Sequence, residues 1–87
     1  MGHKVKFVYF AWVRERVGVP DEVLELPDEA STGADVIAWL KARGDNYAMA
    51  LDDAHAIRMA VNQEHVDPSE PIGTAREIAF FPPMTGG

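Results

Sequence analysis

The chain has 87 residues, of which 47% are hydrophobic, and it carries a formal net charge of −6 and no cysteine. This length suffices for one small domain, and the hydrophobic content argues against disorder. Phosphate-backbone binding needs clustered Lys and Arg, so we expect no nucleic acid partner, and basic partners fit better. No apolar run approaches the roughly 18 residues of a membrane span, so we expect no membrane association. The lack of cysteine excludes a disulfide framework, and we expect a cytoplasmic location.

The first strand signal covers residues 4–12, which are rich in β-branched and aromatic side chains. Apolar side chains fall on both faces of this segment, which is typical of a central strand covered on both sides. One face carries Val5, Phe7 and Tyr9, and the other carries Val8 and Phe10. Residues 13–18 are too few for an independent helix, residues 18–21 predict a turn, and residues 22–26 alternate as a second strand. The two strands are expected to pair as in a hairpin.

The strongest helix signal follows a polar loop and begins after Thr32. Thr32 is the expected N-cap, and Asp35 lies three residues later, as in a short capping box. The expected buried stripe consists of Val36, Ile37 and Leu40. Gly44 follows two basic residues, which predicts the left-handed C-terminal end of the helix at that glycine.

The second half of the chain predicts one short helix and three extended segments. Residues 45–53 are expected to form the short helix, with Tyr47 and Leu51 facing inward. Residues 57–62 alternate as a half-buried third strand, and residues 62–65 form its turn. Prolines interrupt residues 66–72, which favours an edge strand or a loop, and residues 77–81 form the closing strand. The predicted order is strand, strand, helix, strand, strand.

The end of the chain is the most informative stretch, since an apolar strand passes directly into Phe81-Pro82-Pro83-Met84-Thr85-Gly86-Gly87. Proline has no N–H for a strand ladder, so Pro82 ends the strand, and two prolines favour an extended rod. Residues 82–87 could project a carboxylate about 20 Å beyond the strand. Gly86 and Gly87 have no Cβ, so this backbone fits a narrow channel that side chains would block. The pattern indicates a functional tail.

A small protein that ends Phe-Phe-Pro-Pro-x-x-Gly-Gly resembles the MoaD family of ubiquitin-like sulfur carriers, the small subunits of molybdopterin synthase. Residues 5–11, residues 13–15 and residues 60–63 resemble further stretches of that family. The chain departs from it at Met84, where valine is frequent, and at residues 74–76, where the family usually has an Asp-Gly-Asp-type turn. The resemblance implies an α+β, β-grasp (ubiquitin-like) fold. We expect a mixed sheet of four or five strands with one main helix packed across it, in a domain of residues 1–81 followed by a flexible tail of residues 82–87.

The resemblance also implies a function and its partners. An E1-like adenylating enzyme would use ATP to convert the Gly87 carboxyl to an acyl-adenylate, and sulfur would displace AMP to leave a thiocarboxylate. The tail residues Pro82, Pro83, Met84, Thr85 and Gly86 would then enter the large catalytic subunit of molybdopterin synthase, in an expected heterotetramer. Sulfur would pass to a pyranopterin precursor and build the dithiolene of molybdopterin. The catalytic residues would belong to the large subunit, and we expect this chain to bind no cofactor of its own.

Ordering five or six tail residues costs on the order of 5–10 kcal/mol, so the globular body must contribute docking energy. We expect an exposed apolar patch near the end of the last strand that includes Phe80 or Phe81, whichever leaves the core.

Three other functions stay open at the level of sequence: a ubiquitin-like protein modifier, a thiamine-pathway sulfur carrier, and a binding module with an idle tail. Residues 52–55 are the nearest approach to a metal site, but adjacent ligands without a second cluster rarely close one, so we expect no metal. His65 is expected to be a solvated histidine, and Trp12 and Trp39 are expected to be core or interface anchors.

Overall fold

The computed structural model describes residues 2–52 and 57–83. These residues form five strands and three helices. In chain order the elements are β1 (His3–Tyr9), α1 (Ala11–Val17), β2 (Asp21–Leu26), α2 (Gly33–Lys41), α3 (Asp45–Ala50), β3 (Arg58–Val61), β4 (Glu64–Val66) and β5 (Glu77–Phe81).

The strands form one mixed sheet in the order β2-β1-β5-β3-β4. The two central strands, β1 and β5, run parallel, and the register places Phe7 opposite Ile78 and Tyr9 opposite Phe80. The outer pairs β1–β2, β5–β3 and β3–β4 are antiparallel. The first strand, predicted to be central, has a partner strand on each side, β2 and β5.

The hydrophobic core lies on one face of the sheet, where the helices pack. Alternate residues of β1 point into it, namely Val5, Phe7 and Tyr9, and they meet Phe80 of β5 in a stacked arrangement of rings. The predicted stripe of α2 is buried there, as are Val13 and Val17 of α1. Tyr47 and Leu51 also face this core, as expected.

Among the described residues no second layer covers the other face of β1, which contradicts the expectation of two-sided burial. Val8 is partly exposed, and Phe10, just beyond the strand, keeps 50% of its surface exposed. The lysines that alternate with the core residues, Lys4 and Lys6, are exposed on the same side as Val8. The sheet therefore has a helix-covered inner face and an open outer face, which is common for sheets containing antiparallel pairs.

The start of α2 agrees with the prediction, but its end does not. Thr32 and Asp35 form the predicted capping box, because the Asp35 N–H donates to Thr32 Oγ1 and the Thr32 N–H donates to the Asp35 carboxylate. The predicted C-terminal end at Gly44 is wrong: α2 ends at Lys41, and its cap residue, Ala42, keeps a right-handed conformation. Gly44 instead precedes α3 with an extended backbone.

α1 forms a helix although its segment is too short for an independent one. Isolated helices of this length are unstable, so tertiary contacts must supply the stability. Val13 and Val17, one turn apart, are buried in the core, and Gly18 closes the helix in the left-handed conformation with its N–H donating to Arg14 O at 2.9 Å. Glycine adopts this conformation without the steric penalty of a Cβ.

Candidate functional site: the tail root and the outer patch

The functional tail predicted from sequence begins where β5 ends. The strand ends at Phe81, as predicted, and Pro82 and Pro83 follow it as partly exposed residues. The predicted tail residues Met84, Thr85, Gly86 and Gly87 lie outside the described residues. The structure therefore locates the root of the tail, which we define as residues 81–83.

The root is attached to the middle strand of the sheet. β5 has a partner strand on each side, parallel β1 and antiparallel β3. At its far end the carbonyl of Phe80 accepts a hydrogen bond at 3.1 Å from the N–H of Phe10, which directly follows β1. Since β1 and β5 are parallel, both strands finish at the same edge of the sheet, and Phe10 lies beside the root.

The two phenylalanines at the end of β5 have opposite environments. Phe80 points inward, is fully buried, and has its ring centroid 6.5 Å from Phe7 and 6.3 Å from Tyr9. Phe81, the next residue, points to the outer face and is partly exposed. Successive side chains of a strand alternate between the two faces, so one of the pair must leave the core. Phe80 is thereby removed from the predicted partner interface, since its ring has no exposed surface, whereas Phe81 stays a candidate.

An apolar strip crosses the outer face next to the root. Register places Val8 opposite Ala79, Ala79 opposite Ala60, and Ala60 opposite His65. The ring of Phe81 lies over this strip against His65, at 5.2 Å between centroids and an interplanar angle of 58°. We define the outer patch as these residues together with the exposed Phe10, namely Val8, Phe10, Ala60, His65, Ala79 and Phe81.

Charged side chains border the outer patch. Arg58 pairs in register with Phe81, and Asp21 pairs with Val8. Two residues before Val8 in β1, Lys6 lies on the same face between Val23 of β2 and Glu77 of β5. An apolar centre with a charged rim is the usual composition of a protein-binding surface. His65, expected to be a solvated histidine, is exposed but packs on an aromatic ring of this surface.

Asn62 is a structural residue that the sequence analysis missed. It begins the two-residue turn between β3 and β4, and both turn residues, Asn62 and Gln63, have positive φ values of 50° and 72°. Its side-chain Oδ1 accepts hydrogen bonds from the N–H groups of Arg76 and Glu77 at 2.9 and 3.1 Å. Asn62 thus holds the start of β5, at the segment where the chain departs from the resembled family's turn. The signal available in the sequence was the preference of Asn for positive φ in tight hairpins.

A polar cluster lies on the helix-covered side of the sheet and is separate from the outer patch. The hydroxyls of Tyr9 and Tyr47 both donate to Glu22 Oε2, at 2.9 and 2.6 Å. Burial raises the pKa of Tyr9 and Tyr47, and the hydrogen bonds to Glu22 raise both further. Phenols held protonated in this way act as hydrogen-bond donors, so the cluster ties α3 to β1 and β2.

The other residues considered from the sequence are the two tryptophans and the candidate metal segment. The ring of Trp39 lies 6.2 Å from Phe7, and Arg43 stacks over its other side at 5.3 Å. Trp12 is covered by Arg16 at 4.5 Å. Of the segment considered for metal binding, residues 53–55 lie outside the described residues. Within residues 2–52 and 57–83, no group of three or more His, Cys, Asp or Glu side chains could hold a metal ion. No helix in this part of the chain is long and apolar enough to cross a membrane.

A mixed sheet with two parallel central strands and helices across one face defines a ubiquitin-like β-grasp protein. Structural comparison agrees: a ubiquitin from Caldiarchaeum subterraneum superposes with a TM-score of 0.60 over 100% of both chains at 20% identity, a likeness of fold alone. A protein from Pyrococcus furiosus, described as a molybdopterin converting factor, subunit 1, has a TM-score of 0.73 at 27% identity and covers 94% of this chain and 99% of its own.

Sequence comparison then assigns the family. The ThiS family model matches residues 7–87, so the chain belongs to the ThiS family. Among curated relatives, the molybdopterin synthase sulfur carrier subunit of Escherichia coli (strain K12) is 37% identical over 83 residues. That alignment covers 95% of this chain and 99% of the relative. The predicted resemblance and the predicted fold class are both confirmed.

Proposed function

We propose that this chain is the sulfur carrier subunit of a molybdopterin synthase. The observation that carries the proposal is the family match, which extends through the Gly-Gly end to Gly87, combined with the name of the curated relatives. The geometry of the root supports it, because β5 ends in a Pro-Pro step beside an exposed apolar patch. The names of the relatives favour this function over the thiamine-pathway alternative.

The proposed chemistry resides in the carboxyl group of Gly87. A carboxylate reacts poorly with nucleophiles because oxide is a poor leaving group, so an E1-like adenylating partner consumes ATP, releases pyrophosphate and forms the acyl-adenylate. A sulfur nucleophile then displaces AMP and leaves the thiocarboxylate. The sulfur adds to a pyranopterin precursor, and water finally releases the acyl group and returns the Gly87 carboxylate. ATP is the partner's cosubstrate in this scheme, and this chain binds no cofactor.

The tail and the outer patch have complementary roles in this proposal. Residues 82–87 enter the active site of the large subunit, where glycines at the end of the tail fit a narrow channel. Ordering these residues costs on the order of 5–10 kcal/mol, so the globular body must contribute docking energy. The outer patch contributes the docking energy, with Phe81 and Phe10 as aromatic anchors of the kind that dominate binding interfaces.

The partner on the outer patch is the large subunit, and the position of the patch supports this choice. Phe81 belongs to the patch and is covalently followed by Pro82, so a protein that covers Phe81 also meets the start of the tail. We propose that two copies of each subunit form a heterotetramer in the cytoplasm, with the catalytic residues on the large subunit.

The first experiment tests the carboxylate. The wild-type protein, a variant lacking Gly87 and the variant Gly86→Val are incubated with the adenylating enzyme, ATP and a sulfur donor, and intact-protein mass spectrometry follows the replacement of one oxygen by sulfur. We expect conversion of the wild type, none of the shortened chain, and impaired conversion or delivery by Gly86→Val, whose β-branched side chain crowds the channel. All three should melt alike because the substitutions lie beyond the core. Sulfur transfer by a chain whose terminal carboxyl is blocked would refute the carrier function.

The second experiment separates a carrier from a protein modifier. A modifier keeps its acyl group in an isopeptide bond to a lysine, and such conjugates survive boiling in detergent and reductant. We expect a noncovalent complex with the large subunit and no ladder of heavier covalent species. An abundant ladder that depends on Gly87, without a stable large-subunit complex, would establish the modifier instead.

A further inference from the structure

We propose that His65 must be neutral for the outer patch to bind the large subunit, so that acidification weakens the complex. This inference rests on the proposed function, since it concerns the same docking surface. It assigns to one residue of the patch a role that the tail chemistry does not require.

His65 belongs to the apolar strip of the outer patch, at the end of the strip on the edge strand β4. It pairs in register with Ala60, whose other neighbour across the sheet is Ala79, and both alanines are buried. The imidazole packs against the ring of Phe81, with 5.2 Å between ring centroids. Methyl groups and an aromatic ring offer no hydrogen-bond acceptor in the plane of the imidazole. A partner that covers Phe81 therefore also covers His65, on an apolar floor.

The charged groups around His65 do not compensate an imidazolium once water is removed. Arg58 of β3 lies on the same face, in register with Phe81, and has the same sign of charge as an imidazolium. Glu64 and Asp67 lie near His65 in the chain, but both are exposed, so solvent screens their charges. Glu77 of β5 is in register with Lys6 rather than with His65. The described helices pack on the inner face, on the opposite side of the sheet from His65.

Docking thus moves an imidazole from water into an apolar contact. Burial of a charged group without a partner is unfavourable, and the protein responds by releasing the proton. The net charge of −6 strengthens this direction, because a partner that complements an acidic chain is basic and repels an imidazolium. The proton is lost on binding, so the dissociation constant rises as the pH falls.

The test measures the dissociation constant between the purified large subunit and this chain by titration calorimetry, at about pH 8 and about pH 5.5, on either side of the usual histidine range. If binding excludes the charged imidazole, the constant rises about tenfold between these conditions. The variants His65→Leu and His65→Gln are neutral at both pH values and should lose this rise. His3→Gln is the matched control, because His3 lies in β1 and its imidazole is hydrogen bonded to Ala75 O at 3.1 Å, so it should keep the rise.

The outcomes distinguish this inference from the proposed function. Binding at about pH 8 that weakens on acidification in the wild type and in His3→Gln, but not in the two His65 variants, supports the role of His65. Binding that is equally pH-dependent in all four proteins, or that strengthens on acidification through His65, overturns the inference and leaves the proposed function intact. Absence of binding at both pH values, with all proteins folded by thermal melting, overturns the docking surface itself.

Discussion

Asn62 offers a direct test of how the sheet holds the strand that carries the tail. Replacing it with alanine removes two hydrogen bonds, those from the N–H groups of Arg76 and Glu77 to Asn62 Oδ1. Each net contribution is about 0.5–1 kcal/mol, since both bonds are exposed and water replaces the acceptor in part. Alanine is also less favourable than asparagine at the positive φ of 50°, which adds about 0.5–1 kcal/mol to the destabilisation. The expected loss of unfolding free energy is about 2 kcal/mol, or about 10 °C in Tm for a domain of this size.

Two matched variants separate these contributions. Asn62→Gly keeps the tolerance for positive φ and loses the side-chain oxygen, so it should lose about 1–2 kcal/mol. Asn62→Asp keeps an acceptor and a similar backbone preference, so it should stay within about 0.5 kcal/mol of the wild type. Urea unfolding measures the free energies, and amide hydrogen exchange should show faster exchange at Arg76 and Glu77 in the first two variants. The reasoning fails if Asn62→Ala is as stable as Asn62→Asp, or if exchange at these two amides is unchanged.

Two further predictions concern alkaline stability and the end of β5. Burial raises the pKa of Tyr9 above the value of 10.0 typical of the unfolded chain, so its stabilising effect is complete below about pH 10 and is lost as the pH rises beyond it. Tyr9→Phe should therefore reduce the loss of unfolding free energy between about pH 9 and about pH 11 by roughly 1 kcal/mol in total in urea titrations, and an unchanged loss would contradict the assignment. Phe81→Asp should weaken binding of the large subunit in titration calorimetry while its Tm stays near that of the wild type, and unchanged binding would exclude Phe81 from the interface. Phe80→Ala, in contrast, should lower the free energy of unfolding by about 3–5 kcal/mol.

Much of the fold could be predicted because its signals are local. The alternation of Val5, Phe7 and Tyr9 predicts the inner face of β1, and the Thr32–Asp35 pair predicts the start of α2 from side-chain chemistry alone. Pro82 predicts the end of β5 because proline cannot extend a ladder. Each of these features depends on residues within a few positions of each other.

The incorrect predictions involve contacts that are distant in the sequence. α1 is stabilised when Val13 and Val17 enter a core built by other segments, so its length alone does not predict the helix. Gly44 follows a basic stretch that is typical of a helix end, but the chain starts a new helix there and uses the glycine in an extended conformation. The role of Asn62 depends on backbone groups 14 and 15 residues away, which no local pattern indicates.

The error on the second face of β1 is informative about function. Val8 and Phe10 gave the strand the pattern of two-sided burial, yet the outer face is open. Here the local sequence predicts burial, but the fold of the monomer leaves these apolar side chains exposed. Such disagreements between sequence pattern and monomer fold concentrate at functional sites. Here they coincide with the outer patch, so the pattern is consistent with a strand whose second face is covered by the partner.

The arrangement of β5 shows how one short strand can serve both the core and the proposed partner surface. Phe80 anchors the strand in the core between Phe7 and Tyr9, and Phe81 points to the open face directly before Pro82. A shift of the β1–β5 register by one residue would exchange their environments, exposing Phe80 and burying Phe81, the proposed docking side chain. The hydrogen bonds of Asn62 at one end of β5 and of Phe10 at the other oppose such a shift. The register of the central strands therefore determines both the stability of the domain and the surface it presents at the root of the tail.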